Sequence, residues 1–338
     1  MEKELQPEGR EVTRVSAVDR GSYMILHDGR EIPAELAGKF YYLADSPAEL
    51  PCVGDRVEVQ LYDGDSAAVI HGVQERKSFL RRRRAGDKVE FQMIAANIDI
   101  AFIVQSCHFD FNIRRMDRYL VMAADGGVEP LLLLTKTDLI TPEALAEMIA
   151  AIRTAGITAR IISLSNLTGA GFEEFKALLA PGRSCCLLGS SGVGKTTLIN
   201  RLLGREAFGT KEVSATGEGT HSTSRRQLVL LENGAMIIDT PGMRELGLLG
   251  AGEGVEQGFD DLLALGADCR YSDCSHLQEP GCAVRAAVAE GHLSQERYDS
   301  YLKLKKESEY YGMSYAEKRK KDKDFGRFIN KALKQMKK

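Results

Sequence analysis

The residue types and spacing best suited to chemistry begin at Gly189. Gly189-Ser190-Ser191-Gly192-Val193-Gly194-Lys195-Thr196 fits G-x-x-x-x-G-K-[ST] at every fixed position. Glycines there let the backbone turn its N–H groups inward around a phosphate, and a helix opening next adds partial positive charge. Lys195 then reaches the β- and γ-phosphates and stabilises charge developing on them, and the Thr196 hydroxyl ligates Mg²⁺. Thr197 completes the nucleotide-binding set. The flanks agree, with an apolar run over 185–188 that reads as a buried strand and the apolar spacing of a helix over 197–203. A plain Gly/Ser connection is the rival reading, and both flanks count against it. Downstream, Asp239-Thr240-Pro241-Gly242 follows an apolar run in the form of a second metal-site motif. Asp239 would hold Mg²⁺, directly or through water, and the Gly242 N–H would meet the γ-phosphate.

Two further stretches bear on which base is bound. Thr135-Lys136-Thr137-Asp138 at a strand's carboxyl end resembles the guanine-specificity motif of GTPases, usually Asn-Lys-x-Asp. An Asp138 carboxylate accepts from both N1–H and the 2-amino group of guanine, a pattern adenine lacks. The Lys136 stem would lie on the purine face, and Thr135 departs from the usual Asn. Ser165-Asn166-Leu167 resembles the weaker loop motif whose backbone N–H faces the guanine O6. An exposed Lys/Asp loop and a Ser/Asn turn are the bland readings. These base-reading motifs precede the phosphate loop, whereas most GTPases carry them after it. The order implies a circular permutation, which leaves a sheet intact because termini move between surface loops.

A separate ligand set lies near the C-terminus. Cys269-x₄-Cys274-x-His276-x₅-Cys282 supplies three thiolates and one imidazole, the closed tetrahedral kind of structural zinc site. Reduced core cysteines or a redox pair are the alternatives.

These residues need elements to position them. Residues 1–77 alternate short apolar runs (12–18, 23–26, 56–61, 67–70) with turn signals, which suggests a small β-barrel of OB-fold size or another small β-domain. The basic stretch 77–84 and Gly86-Asp87 read as a linker. Strands then alternate with helices from 98 to 203, the pattern of a parallel sheet, and a hairpin over 227–238 leads into Asp239. Residues 78–250 would thus form the nucleotide-binding unit and 251–338 a zinc-binding unit. In the latter, Tyr298, Tyr301, Leu302 and Leu304 of a final helix could pack on the metal knot. No apolar run approaches the ~20 residues of a membrane span, and the charged start has no apolar signal region, so a cytoplasmic protein is expected. The net charge of −3 is uneven, with ten Lys/Arg against two Asp from Lys318 to the end. That tail, read as a basic helix or a disordered arm, and Arg81-Arg82-Arg83-Arg84 are either solvated charge runs or contacts to a polyanion.

Taken together, the motifs resemble the ribosome small-subunit-dependent GTPase family (RsgA, also called YjeQ), with Ile94-Ala95-Ala96-Asn97-Ile98-Asp99 and Asp117-Arg118-Tyr119-Leu120 adding to the match. The resemblance implies an OB barrel, a permuted GTPase domain and a zinc domain. It also implies GTP hydrolysis to GDP stimulated by the small (30S) ribosomal subunit, contact with its rRNA, a role in its late maturation, and a monomer. Many GTPases orient the attacking water with a Gln after the Asp-x-x-Gly motif, but Met243 stands there. Gly217 to Ser224 is similar to the family's Gly-x-x-His-Thr-Thr-Thr segment. By that match Thr223 is the switch ligand to Mg²⁺ and His221 the catalytic water-positioning residue, where the residues alone read as an exposed loop histidine. A nucleotide-gated rRNA-binding protein with negligible turnover is the rival, and Met243 is the residue that favours it. An ATP-dependent enzyme is a third possibility.

Overall fold

The structure is a computed structural model that describes residues 9–19, 21–44, 46–83, 91–206, 226–240, 254–255 and 258–312. Strands β1 (Glu11–Asp19), β2 (Ser22–His27), β3 (Arg30–Leu36), β4 (Arg56–Tyr62) and β5 (Ala67–Val73) close a barrel. Antiparallel pairs β1–β2, β2–β3, β4–β5 and β1–β4 and the parallel pair β3–β5 give the order 1-2-3-5-4-1. Period-two alternation turns Val15, Tyr23, Ile25, Ile32, Ala34, Val57, Val59, Ala68 and Ile70 into its core. A short helix α1 (Gly38–Leu43) bridges β3 and β4. Strand β3 escapes a sequence reading because Pro33 and three charged residues surround its two inward positions, Ile32 and Ala34.

The described part of the stretch expected to be a linker is mostly strand, while Arg84, Gly86 and Asp87 lie outside the described residues. Residues Phe79–Arg83 form β6 and pair antiparallel with β7, Phe91–Ala96. The basic run is also partly consumed inside the protein. Arg81 grips Asp125 with two hydrogen bonds of 2.8 and 3.0 Å and lies over the rings of Phe79 and Phe91. Arg76 likewise holds the fully buried Asp55 with two 2.8 Å bonds and donates to the Ala48 and Leu50 carbonyls. Arg76 thus ties the loop before β4 to the end of the barrel, and Arg81 fastens the hairpin to the end of α2.

The α/β unit follows, with β8 (Ile100–Ser106), α2 (Ile113–Asp125), β9 (Glu129–Thr135), α3 (Pro142–Thr154), β10 (Ile161–Ser163), α4 (Phe172–Ala177), β11 (Ser184–Leu188), α5 (Lys195–Leu203), β12 (Arg226–Leu230) and β13 (Met236–Asp239). The strand order is β10-β9-β8-β11-β13-β12, parallel except for the β12–β13 hairpin. Strands buried on both faces need continuous apolar sequence, and β8, β9 and β11 supply it. The barrel joins this sheet through β1, which pairs with β12 at Ala17↔Gln227 and Val18↔Arg226, so one eleven-stranded sheet runs through both.

Helices α6 (Asp260–Gly266), α7 (Ala283–Ala289) and α8 (Gln295–Gly312) make the C-terminal unit. Its apolar residues share one core with α2, including Phe259, Leu262, Val284, Tyr301 and Leu304. Helix α8 is also bonded to α2. Buried Arg297 donates to Asp117 at 3.3 Å and to Asp261 at 2.9 Å, Ser300 donates to Asp117 at 2.6 Å, and Arg118 makes two bonds of 2.9 and 2.6 Å to Glu307. Among the described residues no helix is long and apolar enough to cross a membrane.

Candidate nucleotide and zinc sites

The parallel strands of the α/β unit end at one edge of the sheet, and the described nucleotide-site residues lie at those strand ends or on the segments that leave them. Strand β11 runs into the phosphate loop, whose geometry needs its glycines. Gly189 has φ +156°, and a Cβ on it would sit 2.4 Å from the Val104 carbonyl oxygen. Gly194 has φ +100° and caps α5, so the first N–H groups of that helix open toward the loop. Val193 is fully buried below the loop, Ser190 is nearly so, Ser191, Gly192 and Thr196 are half-buried, and Thr197 faces solvent.

Lys195 is buried and donates from Nζ to the carbonyls of Gly189 at 2.8 Å and Ser190 at 2.7 Å. Burial pulls its pKa down, and the charges of Asp239 and Asp110 oppose that pull. Asp239, at the end of β13, is 2% exposed, and burial pushes its carboxyl up while Lys195 draws it back. The pair therefore joins the end of β13, which carries Asp239, to the start of α5, which carries Lys195 after the loop that leaves the adjacent strand β11. That arrangement suits a lysine for phosphate oxygens and a carboxylate for a hydrated divalent cation. The Thr240 hydroxyl donates to the Leu187 carbonyl at 2.7 Å and locks the end of β13 against β11.

The base-reading residues lie at the ends of β9 and β10. Thr135 is fully buried, and its hydroxyl donates to the Val193 carbonyl at 2.6 Å. The departure from Asn thus keeps a direct bond to the phosphate loop. Lys136 takes a left-handed backbone (φ 59°) before the turn that carries Asp138. Ser165 donates to Asp138 at 2.5 Å, and its hydroxyl accepts from the N–H groups of Leu167 and Thr168. Asn166 donates from its side chain to the Gly194 carbonyl at 3.2 Å. A chain of bonds therefore runs from Asp138 through Ser165 and Asn166 to the phosphate loop. His221, Thr223, Gly242 and Met243 lie outside the described residues.

Two residues at this edge escape a motif reading. Arg201 of α5 donates to the Asn166 carbonyl and lies 4.5 Å over the Phe172 ring, bracing the base loop. Arg115, at the first turn of α2, donates to Ser190 of the phosphate loop and, at 2.6 Å, to Asp110. Arg115 lies in the first turn of its helix and Arg201 in the last turn of its own, and only the packing of each helix end on a neighbouring loop reveals them.

The four expected zinc ligands converge. The donor atoms of Cys269, Cys274, His276 and Cys282 all lie within 4.8 Å of one another. His276 Nδ1 is 3.6 Å from the Cys269 sulfur and 3.5 Å from that of Cys282, and those two sulfurs are 3.9 Å apart. A zinc tetrahedron with bonds of about 2.3 Å to sulfur and 2.0 Å to nitrogen has edges of roughly 3.5–3.8 Å, and a disulfide needs about 2.05 Å. The set fits zinc and rules out a bridge between Cys269 and Cys282. Burial and the neighbouring thiols push Cys274 up to about 11, a conflict that a divalent cation relieves. Burial lowers the His276 pKa, a shift toward the neutral ring that a metal ligand needs. Tyr298 of α8 donates to the His276 carbonyl at 2.6 Å, and Tyr301 lies beside the ring. The third missed residue is Glu279, whose carboxylate accepts from the N–H groups of Ser275, Leu277 and Gln278, each at 3.0 Å, and from the Ser275 hydroxyl. These bonds hold its pKa down at about 2.

Comparison with known proteins agrees with this geometry. Residues 73–249 match the RsgA GTPase family. The chain belongs to that family. It is 41% identical over 307 residues to small ribosomal subunit biogenesis GTPase RsgA 2 of Lactiplantibacillus plantarum, covering 90% of this chain and 86% of the relative. With the RsgA of Opitutus terrae the identity is 41% over 88% of this chain and 83% of the relative. Among solved structures, YjeQ from Thermotoga maritima superposes with a TM-score of 0.64 at 26% identity, covering 88% of this chain and 98% of that one. YloQ, described as a circularly permuted GTPase, shares the fold at a TM-score of 0.61 and 22% identity, over 92% of this chain and 100% of that one. The permutation expected from motif order is thus the architecture of the family.

Proposed function

We propose that this chain is a GTPase assembly factor of the small ribosomal subunit. Its three parts would be a barrel (1–77), a GTPase unit (78–250) and a zinc unit with a basic tail (251–338). The observation that carries the reading is the bond chain from Asp138 through Ser165 and Asn166 to Gly194, because it makes one crevice from segments on both sides of the permutation. Relatives about 41% identical over most of the chain bear names for small-subunit biogenesis, which supports the same role here.

In this reading GTP lies along the carboxyl edge of the sheet. Asp138 accepts from the guanine N1–H and 2-amino group, Lys136 covers the ring, and the Ser165–Asn166 loop offers backbone N–H to O6. Residues 189–197 wrap the phosphates. Lys195 and the loop N–H groups are aimed where negative charge grows as water attacks the γ-phosphorus and the bond to the bridging oxygen breaks. Mg²⁺, when bound, neutralises phosphate charge, and Thr196, Asp239 and Thr223 are the residues that would hold it. His221 positions the water in place of Met243, and Gly242 meets the γ-phosphate. Zinc at Cys269, Cys274, His276 and Cys282 is structural, because four protein ligands leave no position for water. The factor works as a cytoplasmic monomer that contacts small-subunit rRNA, with GTP setting the geometry of its docking surfaces.

Hydrolysis measured with and without purified small subunits tests this function. Stimulation that disappears in His221→Ala is the expected result. Equal, near-zero rates under both conditions would favour a nucleotide-gated rRNA-binding protein instead.

A further inference from the structure

We infer that Arg115 is a positioning residue of the phosphate site, neutralising Asp110 and fixing Ser190 so that the loop accepts a nucleotide's phosphates. The inference rests on the phosphate-loop reading above. Its starting point is a broken local rule. Asn112 caps α2 by accepting from the Arg115 N–H at 3.0 Å, so Arg114 and Arg115 occupy a first turn that contains no acidic residue. Cations oppose the helix dipole there, and such conflicts mark sites where function offsets a local cost.

The surroundings show what Arg115 does. Its Nη1 donates to Asp110 Oδ1 at 2.6 Å and to the Ser190 hydroxyl. The other Asp110 oxygen, Oδ2, is buried without a hydrogen-bond partner. Asp110 also lies close enough to Lys195 for its charge to be felt there. A carboxylate so near the phosphate loop would repel a triphosphate unless a cation offset it, since like charges at short range in a partly dry site cost heavily. Arg115 offsets it and, by the same nitrogen, ties Ser190 to the first turn of α2. Lys195 is thereby left to act on phosphate oxygens and not on Asp110.

Binding of a fluorescent N-methylanthraniloyl GTP, with unlabelled GTP, GDP and guanosine as competitors, tests this on the full chain. Arg115→Ala should weaken GTP at least tenfold and GDP less, and change guanosine less than twofold. Adding Asp110→Asn to Arg115→Ala should bring GTP back to within about threefold of the parent. A loss with no such recovery would mean a merely structural role for the arginine, and unchanged GTP affinity in Arg115→Ala would overturn the inference outright. If Arg115→Ala does not fold, Asp110→Asn alone decides, since removing that charge should tighten GTP, and no gain contradicts the proposal. Lys195→Ala separates the two levels. If the parent and Lys195→Ala bind alike, the phosphate-loop reading fails; if only Lys195→Ala loses binding while Arg115→Ala does not, Arg115 alone is wrong.

Discussion

At the scale of single residues, Glu279 shows how a side chain that ligates nothing can still shape a metal site. Three backbone N–H groups of the Cys274–Cys282 loop end on its carboxylate, so Glu279→Ala frees all three. Outer partners of metal sites typically contribute 10–100-fold in affinity, and chelator competition should find zinc held about tenfold more weakly in this variant. Unchanged zinc affinity would show that the loop is held by its ligands alone. The ligands themselves were legible, because Cys and His at that density have few other uses. Glu279 was not, since a carboxylate that folds back on its own loop looks like any surface acid. Thr135 was only half legible. Its departure from Asn is plain in the sequence, but its bond to Val193 depends on two strands meeting.

At the scale of elements, strand-and-helix alternation and the positions of the motifs were readable because apolar runs of fully buried strands stand out. The β6–β7 hairpin was not readable. Arginines dominate β6, and only the Asp125 carboxylate and two aromatic rings across the fold make a strand of it. The end of α2 pins this hairpin in place. Phe79 donates from its N–H to the Gly126 carbonyl at 3.0 Å, and a Cβ on Gly126 would lie 1.6 Å from the Phe79 carbonyl oxygen. Gly126→Ala must push the hairpin away from α2 and should cost about 1–3 kcal/mol in urea unfolding, the usual range for overpacking. An exposed Gly such as Gly38, with a backbone open to any residue and nothing near its Cβ position, is the control for a Gly→Ala substitution that meets no neighbour.

For the whole molecule, the decisive contacts join regions far apart in sequence. Helix α2 carries Arg115 toward the phosphate loop and Asp117 toward α8, where Arg297 and Ser300 receive it. Arg297→Ala leaves Asp117 buried without its cation, and losing one partner of a buried pair costs about 3–5 kcal/mol near neutral pH. Burial already raises the Asp117 pKa. A carboxyl whose folded pKa lies above its unfolded value favours the folded state most below the unfolded value, and that advantage is lost as pH rises through the folded value. Removing Arg297 raises the folded value further, so the deficit of Arg297→Ala should shrink as pH falls toward 4. A deficit independent of pH would place the cost in lost packing over Phe259 instead.

The proposed function depends most on one guanine nucleotide contacting both the Asp138 turn and the phosphate loop, which the Asn166 side chain links. Affinities of the parent and of Asp138→Asn for GTP, XTP and ATP test it most directly. An Asn amide can donate to the 2-oxo group of xanthine, where Asp can only accept from the 2-amino group of guanine. The parent should prefer GTP to ATP at least a hundredfold, and Asp138→Asn should lose GTP and gain XTP. GTP affinity left unchanged by Asp138→Asn would contradict the account.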